Sequence, residues 1–178
     1  MHRIVNDEAL DILFRAACAR PAWLARPVSD TMLRALWELV RLGPIGSCGP
    51  AVQLLFAKSD AARARLGAAV AAADREAALS APVAAIVGCR PCEPGDGAGH
   101  RDAALHAAYL MLAARALGLD CGPIWRFDAA LVDRIFFPEG GADGELSVRS
   151  RLQRRHAAGA ARAAPRLRRG VRDPVMTA

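Results

Sequence analysis

The sequence predicts one mixed domain of helices and strands, and three observations carry that prediction. Segments with apolar residues at helical spacing alternate with two short apolar runs, AVQLLFAK at 51–58 and PVAAIVGC at 82–89. A stretch near the middle, 105–119, is apolar nearly all round, and a helix of that kind must lie between other layers. The 178 residues are 53% hydrophobic and 24% charged, ordinary material for one domain with a sizeable core.

Taken in order, Asn6 or Asp7 caps a helix expected over Glu8 to Ala19, with Leu10, Leu13, Phe14 and Ala17 at helical spacing and Pro21 as its stop. Ser29-Asp30 begins a second helix, Thr31 to Leu42, which carries Leu33, Leu36, Trp37 and Val40 on one face and ends at Gly43-Pro44. A loop rich in glycine and serine then leads into the first apolar run, read as a buried strand. An alanine-rich helix is expected over Asp60 to Leu79, and the run after Pro82 reads as a central strand. Residues 90–101 form a Pro/Gly/Asp loop.

The core helix follows, with Leu105, Tyr109, Leu112, Ala116 and Leu119 at steps of four and three, so that they share one face. Arg115 alone interrupts it, and about fifteen residues with an arginine inside are too few to span a bilayer. Gly118 supplies positive φ at the helix end, and Gly122-Pro123 forces an extended, donor-poor exit whose backbone can face a ligand. Asp128 to Phe137 closes the domain as a short helix, and after Pro138 the pattern decays.

The net charge of +6 is unevenly placed. Residues 146–178 hold nine arginines and one acid, Asp173, so the remaining 145 residues are slightly acidic. The basic character therefore belongs to the tail, which reads first as an out-of-frame product or a solvated disordered end, and less readily as a phosphate-binding segment. Lys58 is the sole lysine against 23 arginines, which with the alanine excess suggests GC-rich coding. Acidic residues at 7, 8 and 11 interrupt the first apolar run, so no secretory leader is expected. Five scattered cysteines (18, 48, 89, 92, 121) fit free thiols in a reducing compartment, and a cytoplasmic protein is expected.

Cys89-Arg90-Pro91-Cys92 has redox or metal spacing, but Glu-Pro-Gly-Asp-Gly follows where a thiolate-stabilising helix would be needed. Gly95, Gly97 and Gly99 depart from a dinucleotide fingerprint, because the third glycine is one residue early and the loop is not tight. His106 reads as a structural residue, with no carboxylate spaced to pair with it. No Ser-His-Asp arrangement, paired carboxylates or P-loop is visible, so any chemistry belongs to a cofactor.

Four segments carry a resemblance: RPVSDTMLRALWELVRLGP (26–44), LSAPVAAIVG (79–88), HAAYLMLAARALGLDCGP (106–123) and FDAALVDRIFFPEG (127–140). In order and content they resemble the nitroreductase family of flavoenzymes, most closely the branch containing malonic semialdehyde reductase, across residues 5–141. The resemblance implies an α+β fold, with a sheet flanked by helices and a long buried core helix, assembled as an intertwined homodimer with FMN in a cleft at the subunit interface. It implies NAD(P)H as co-substrate and ping-pong hydride transfer to a small electrophile: an aldehyde such as malonic semialdehyde, a nitro compound or a quinone. The cofactor carries the hard chemistry in such sites.

Carried onto this chain, the resemblance makes Arg20, within Cys18-Ala19-Arg20-Pro21, the remaining partner for the flavin phosphate where the family has Arg-Thr-His-Asn. Ser47 and Cys48 stand in the loop the family writes Gly-Pro-Thr-Ser-Ala-Asn, and Gly122-Pro123-Ile124 matches a Gly-Pro-Met turn that presents backbone to the isoalloxazine. Trp125-Arg126 replaces a small Ser-Gly pair, and the segment before the core helix is reduced to the loop around Glu93 to Gly99. The family ends with a strand, a glycine turn and an arginine segment, whereas Ser147 to Ala178 shows neither strand alternation nor apolar content. The chain thus divides into a domain at 1–145 and an irregular tail at 146–178, with a frameshift near Leu146 as the expected cause. Two other readings stand beside the enzyme: a remnant that no longer holds flavin, and a nucleic-acid-binding module through the tail, which lacks aromatic residues for stacking.

Overall fold

Four antiparallel strands in the order β1-β2-β4-β3 form the sheet of the computed structural model, which describes residues 4–16, 26–43, 52–89, 98–138 and 148–154. Helix α1 (Asp7–Leu10) widens into a π-helical turn at Asp11–Arg15, and α2 (Asp30–Val40) precedes β1 (Val52–Ala57). Then come α3 (Asp60–Ala69), α4 (Ala72–Leu79), β2 (Val83–Cys89) and α5 (Ala98–Ala116). Strand β3 (Leu119–Ile124), α6 (Ala129–Phe136) and β4 (Val148–Arg154) complete the chain's described elements. This is the expected α+β architecture.

Local chemistry sets the helix starts. Side-chain oxygens of Asn6, Ser29, Ser59 and Asp128 accept hydrogen bonds from the N–H groups of Ala9, Met32, Ala62 and Leu131, at 2.9, 3.2, 3.1 and 2.9 Å. Each satisfies one donor that the first turn leaves open, a contribution of about 1 kcal/mol. At the other end of α5, Gly118 takes φ 74°, a left-handed conformation that lets the chain reverse into β3.

The sheet is covered on both faces. Val83, Ala85 and Val87 of β2 pack with Leu33, Leu36 and Val40 of α2 and with Ala103, Ala107, Leu110 and Ala114 of α5. Ala84 and Ile86 point the other way, into a cluster with Leu66 and Ala69 of α3, Ala78 of α4, Val132 of α6 and Phe137. Leu36, Leu110, Leu119 and Ile86 are wholly buried, which contributes about 1.5–3 kcal/mol for each side chain.

Several expectations are corrected. The helix expected over 60–79 is two helices, because buried Val70 turns extended and forms a bridge with Phe127. Its neighbours are held there by Ala71 N–H to the Arg126 carbonyl (3.0 Å) and Asp128 N–H to the Ala69 carbonyl (2.8 Å). Helix α5 starts at Ala98, inside the expected loop, and its buried stripe is Ala103, Ala107, Leu110 and Ala114 rather than the larger side chains. Small residues there let the helix approach the sheet closely, while Leu105 is left 49% exposed. Likewise Trp37, expected on the buried face of α2, is 40% exposed. The first helix is α-helical over Asp7–Leu10 and π-helical over Asp11–Arg15, and the last part of its expected span, 17–19, lies outside the described residues. Cys92, Gly95 and Gly97 lie outside the described residues.

The exit after the core helix is a full strand, β3, and the expected absence of strand beyond Ser147 is corrected by β4. That strand lies between β2 and β3: Val87 pairs with Val148, Val83 with Leu152, Cys121 with Leu152 and Ile124 with Arg149. The residues paired with β4 come from well inside the 1–145 segment. A chain ending at residue 145 is therefore expected to lose cooperative unfolding, measured as a missing denaturant transition beside that of the full chain.

Candidate functional site

The segment that the sequence singles out occupies the sheet edge. β3 pairs with β4 on one side, and among the described residues no strand pairs with its other side. An edge is the position where proline's missing N–H is tolerated within a strand, and Pro123 takes it, opposite Ser150. Gly122 and Ile124 are buried, Ile124 within the second core cluster, and Pro123 is half-buried. Cys121 is buried as well.

Directly after the strand the chain is clamped. The Arg126 guanidinium grips Asp74 of α4 through two bonds, Nε to Oδ2 and Nη2 to Oδ1, each 2.9 Å. That hydrogen bonding, with the attraction of the carboxylate, holds the Arg126 pKa above its ordinary value. Both partners reach solvent, so the geometry matters more than the energy. With the backbone bonds to Ala69 and Ala71, the pair fixes residues 126–128 against the α3–α4 junction. Trp125, between the clamp and Ile124, is 66% exposed. Arg126 is thus committed to α4, and the exposed bulk at this place is the Trp125 indole.

The sequence-derived residues meet only in part. Gly122, Pro123 and Ile124 stand together on β3, while Arg20, Ser47 and Cys48 lie outside the described residues. The His106 Nδ1 donates to the Asp102 carbonyl at 2.8 Å, a structural bond within α5. Among the described residues no three His, Cys, Asp or Glu side chains are grouped to hold a metal ion, and no helix is long and apolar enough to cross a membrane.

A cavity elsewhere was not anticipated. Between α2 and β1 opens a cavity of about 460 Å³ floored by Leu33, Leu54 and Phe56. Asp30, Arg34 and Lys58 form its charged rim, and Trp37 lines it as well. Lys58 Nζ donates to Asp30 Oδ1 at 2.5 Å. The signals available in the sequence were the lone lysine at the end of β1 and a tryptophan on an otherwise regular helix face. The cavity and the Gly122 segment lie at opposite edges of the sheet, three strand spacings or roughly 14 Å apart.

Comparison with known proteins gives the context for these features. A relative in Burkholderia lata whose assigned name is NADH dehydrogenase/NAD(P)H nitroreductase is 37% identical over 155 residues, covering 75% of this chain and 80% of that one. One in Stenotrophomonas maltophilia with the same assigned name is 35% identical, with 77% and 81% covered. The chain belongs to the NAD(P)H nitroreductase family. Among solved structures of that fold, a nitroreductase from Exiguobacterium sibiricum in complex with FMN superposes with a TM-score of 0.73 at 15% identity, covering 94% of this chain and 96% of that one. A nitroreductase family protein from Clostridium novyi gives 0.71 at 14% identity, with 86% and 87% covered. No family model matches the chain.

The rim of the α2–β1 cavity supplies a pH test. The Asp30 carboxyl is held below the ordinary carboxylate range by the hydrogen bond from Lys58, by the charge of Lys58 and, more weakly, by Arg34. A pKa lowered on folding stabilises the folded state above the unfolded value of about 3.9, and the contribution fades as pH falls through the lower folded value. Denaturant unfolding of wild type and Asp30→Asn is expected to differ slightly at neutral pH, as suits an exposed pair, and to converge below the folded-state pKa.

Proposed function

We propose that this chain is an FMN-dependent NAD(P)H oxidoreductase that works as a cytoplasmic homodimer. Its substrate is a small electrophile, an aldehyde of the malonic semialdehyde kind, a nitro compound or a quinone, reduced by ping-pong hydride transfer. The observation that carries this reading is the Gly122-Pro123-Ile124 segment on a strand at the end of the described sheet, in a chain of the nitroreductase family. Support for the cofactor comes from the FMN complex of the Exiguobacterium protein and from an FMN-dependent nitroreductase of Clostridium difficile with a TM-score of 0.70.

In this reading the backbone of Gly122 to Ile124 lies against the flavin ring, and Arg20, Ser47 and Cys48 hold the rest of the cofactor. FMN supplies the hydride-carrying chemistry, so the protein's task is to orient and to exclude water. Trp125 lies beside the ring position, on a backbone that the Arg126–Asp74 pair keeps from shifting. An indole fixed there narrows the approach and favours flat substrates over branched ones.

The purified protein is expected to turn yellow with FMN at saturable, one-to-one stoichiometry, and its visible absorbance to bleach anaerobically with NADH or NADPH. A protein that stays colourless would instead be a remnant that has lost its cofactor.

The exposed side of α5 supports the dimer. Leu105 is 49% exposed and Ala104 and Ala108 are exposed beside it, an apolar face that a partner subunit would cover. Leu105→Glu is expected to shift the sedimentation coefficient from dimer to monomer, and a protein already monomeric before the change would reject this assembly.

A further inference from the structure

The cavity between α2 and β1 lies at the opposite end of the described sheet from Gly122. It exists because α2 and α5 cover β2 fully but leave β1 partly open. Leu54 and Phe56, paired with Val87 and Ala85, face the same layer, yet they are half-buried where their β2 partners are buried. The result is an apolar floor open to solvent under a charged rim.

We propose that this groove binds a flat monoanion of the aromatic carboxylate class. Its volume of about 460 Å³ falls within the range of small-molecule sites and suits a bicyclic ring system. Leu33, Leu54 and Phe56 offer the ring an apolar bed, and the Trp37 indole, 40% exposed, offers an aromatic contact. The rim chooses the charge. Asp30 takes the hydrogen bond of Lys58 and feels the charge of Arg34 more weakly, while the Arg34 guanidinium makes no hydrogen bond to a described residue. Against two cations the rim sets one carboxylate, and the planar fork of Arg34 matches a second carboxylate through two parallel hydrogen bonds. A cation would meet Arg34 as a like charge, and a bare inorganic anion would leave the floor wet.

The test is calorimetric titration of the full chain with 1-naphthoate, beside the neutral 1-naphthalenemethanol. Saturable one-to-one binding of naphthoate is expected, roughly tenfold or more tighter than the alcohol. Arg34→Ala should bring naphthoate down to the level of the alcohol, and Trp37→Ala should weaken both ligands. Both positions are exposed, so the unfolding midpoint should hold for each variant. FMN uptake should be the same with and without naphthoate, because the groove lies at the far edge of the sheet from Gly122. The proposal is overturned if naphthoate shows no saturable binding, if binding ignores both substitutions, or if FMN displaces the ligand. It is also overturned if naphthoate fails to bind while Arg34→Glu changes the oligomeric state, since the groove would then be an interface between copies. Failure of flavin binding alone would leave these ligand results standing.

Discussion

Burial of β2 on both of its faces is the constraint around which the other elements are arranged. From Val83 to Gly88 every residue is buried, so each face of the strand needs its own apolar cover and each edge its own hydrogen-bonding partner. Alternation sends Val83, Ala85 and Val87 to α2 and α5, and Ala84 and Ile86 to α3, α4 and α6. Gly88 continues the second set: a Cβ there would stand 2.8 Å from Phe137 Cζ, so the ring after α6 lies directly on the backbone. Two helical layers and two strand neighbours follow from one stretch that cannot face water.

Elements with strong local chemistry were legible in the sequence. The caps at Asn6, Ser29 and Asp128 are where serine, asparagine and aspartate precede apolar periodicity, and β1 and β2 fall within the two apolar runs. What escaped was set by tertiary partners. Val70 breaks a helix that composition alone would continue, because its backbone is taken by the bridge to Phe127. Helix α5 is so apolar that its sequence could not show which stripe meets the sheet, and packing chose the alanines. In β4, Val148 and Leu152 occupy register positions opposite buried β2 residues, but the arginines between them masked the alternation.

The candidate site was legible only through its backbone-presenting part. Gly122 and Pro123 are distinctive residues, and they stand on β3 at the end of the described sheet. The α2–β1 cavity gave no such sign, because Asp30, Arg34, Trp37 and Lys58 are spread over 29 positions and meet only when β1 is laid against α2.

The position of β4 has a kinetic consequence. This strand is made after β1, β2 and β3, yet it lies between β2 and β3, so among the described strands β3 has no neighbour until β4 arrives. During synthesis the chain carries two ready strand edges separated by a gap one strand wide. Pairings that span more than sixty residues, such as Val83 with Leu152, are slow to form because loop closure precedes any gain from contact. Until then the inner edge of β2, apolar on both faces, is open to any passing strand, including the same strand of another copy. In cells the burden of this topology falls on the nascent chain, and mutations that delay β4 should lower soluble yield before they lower the stability of molecules that finish folding.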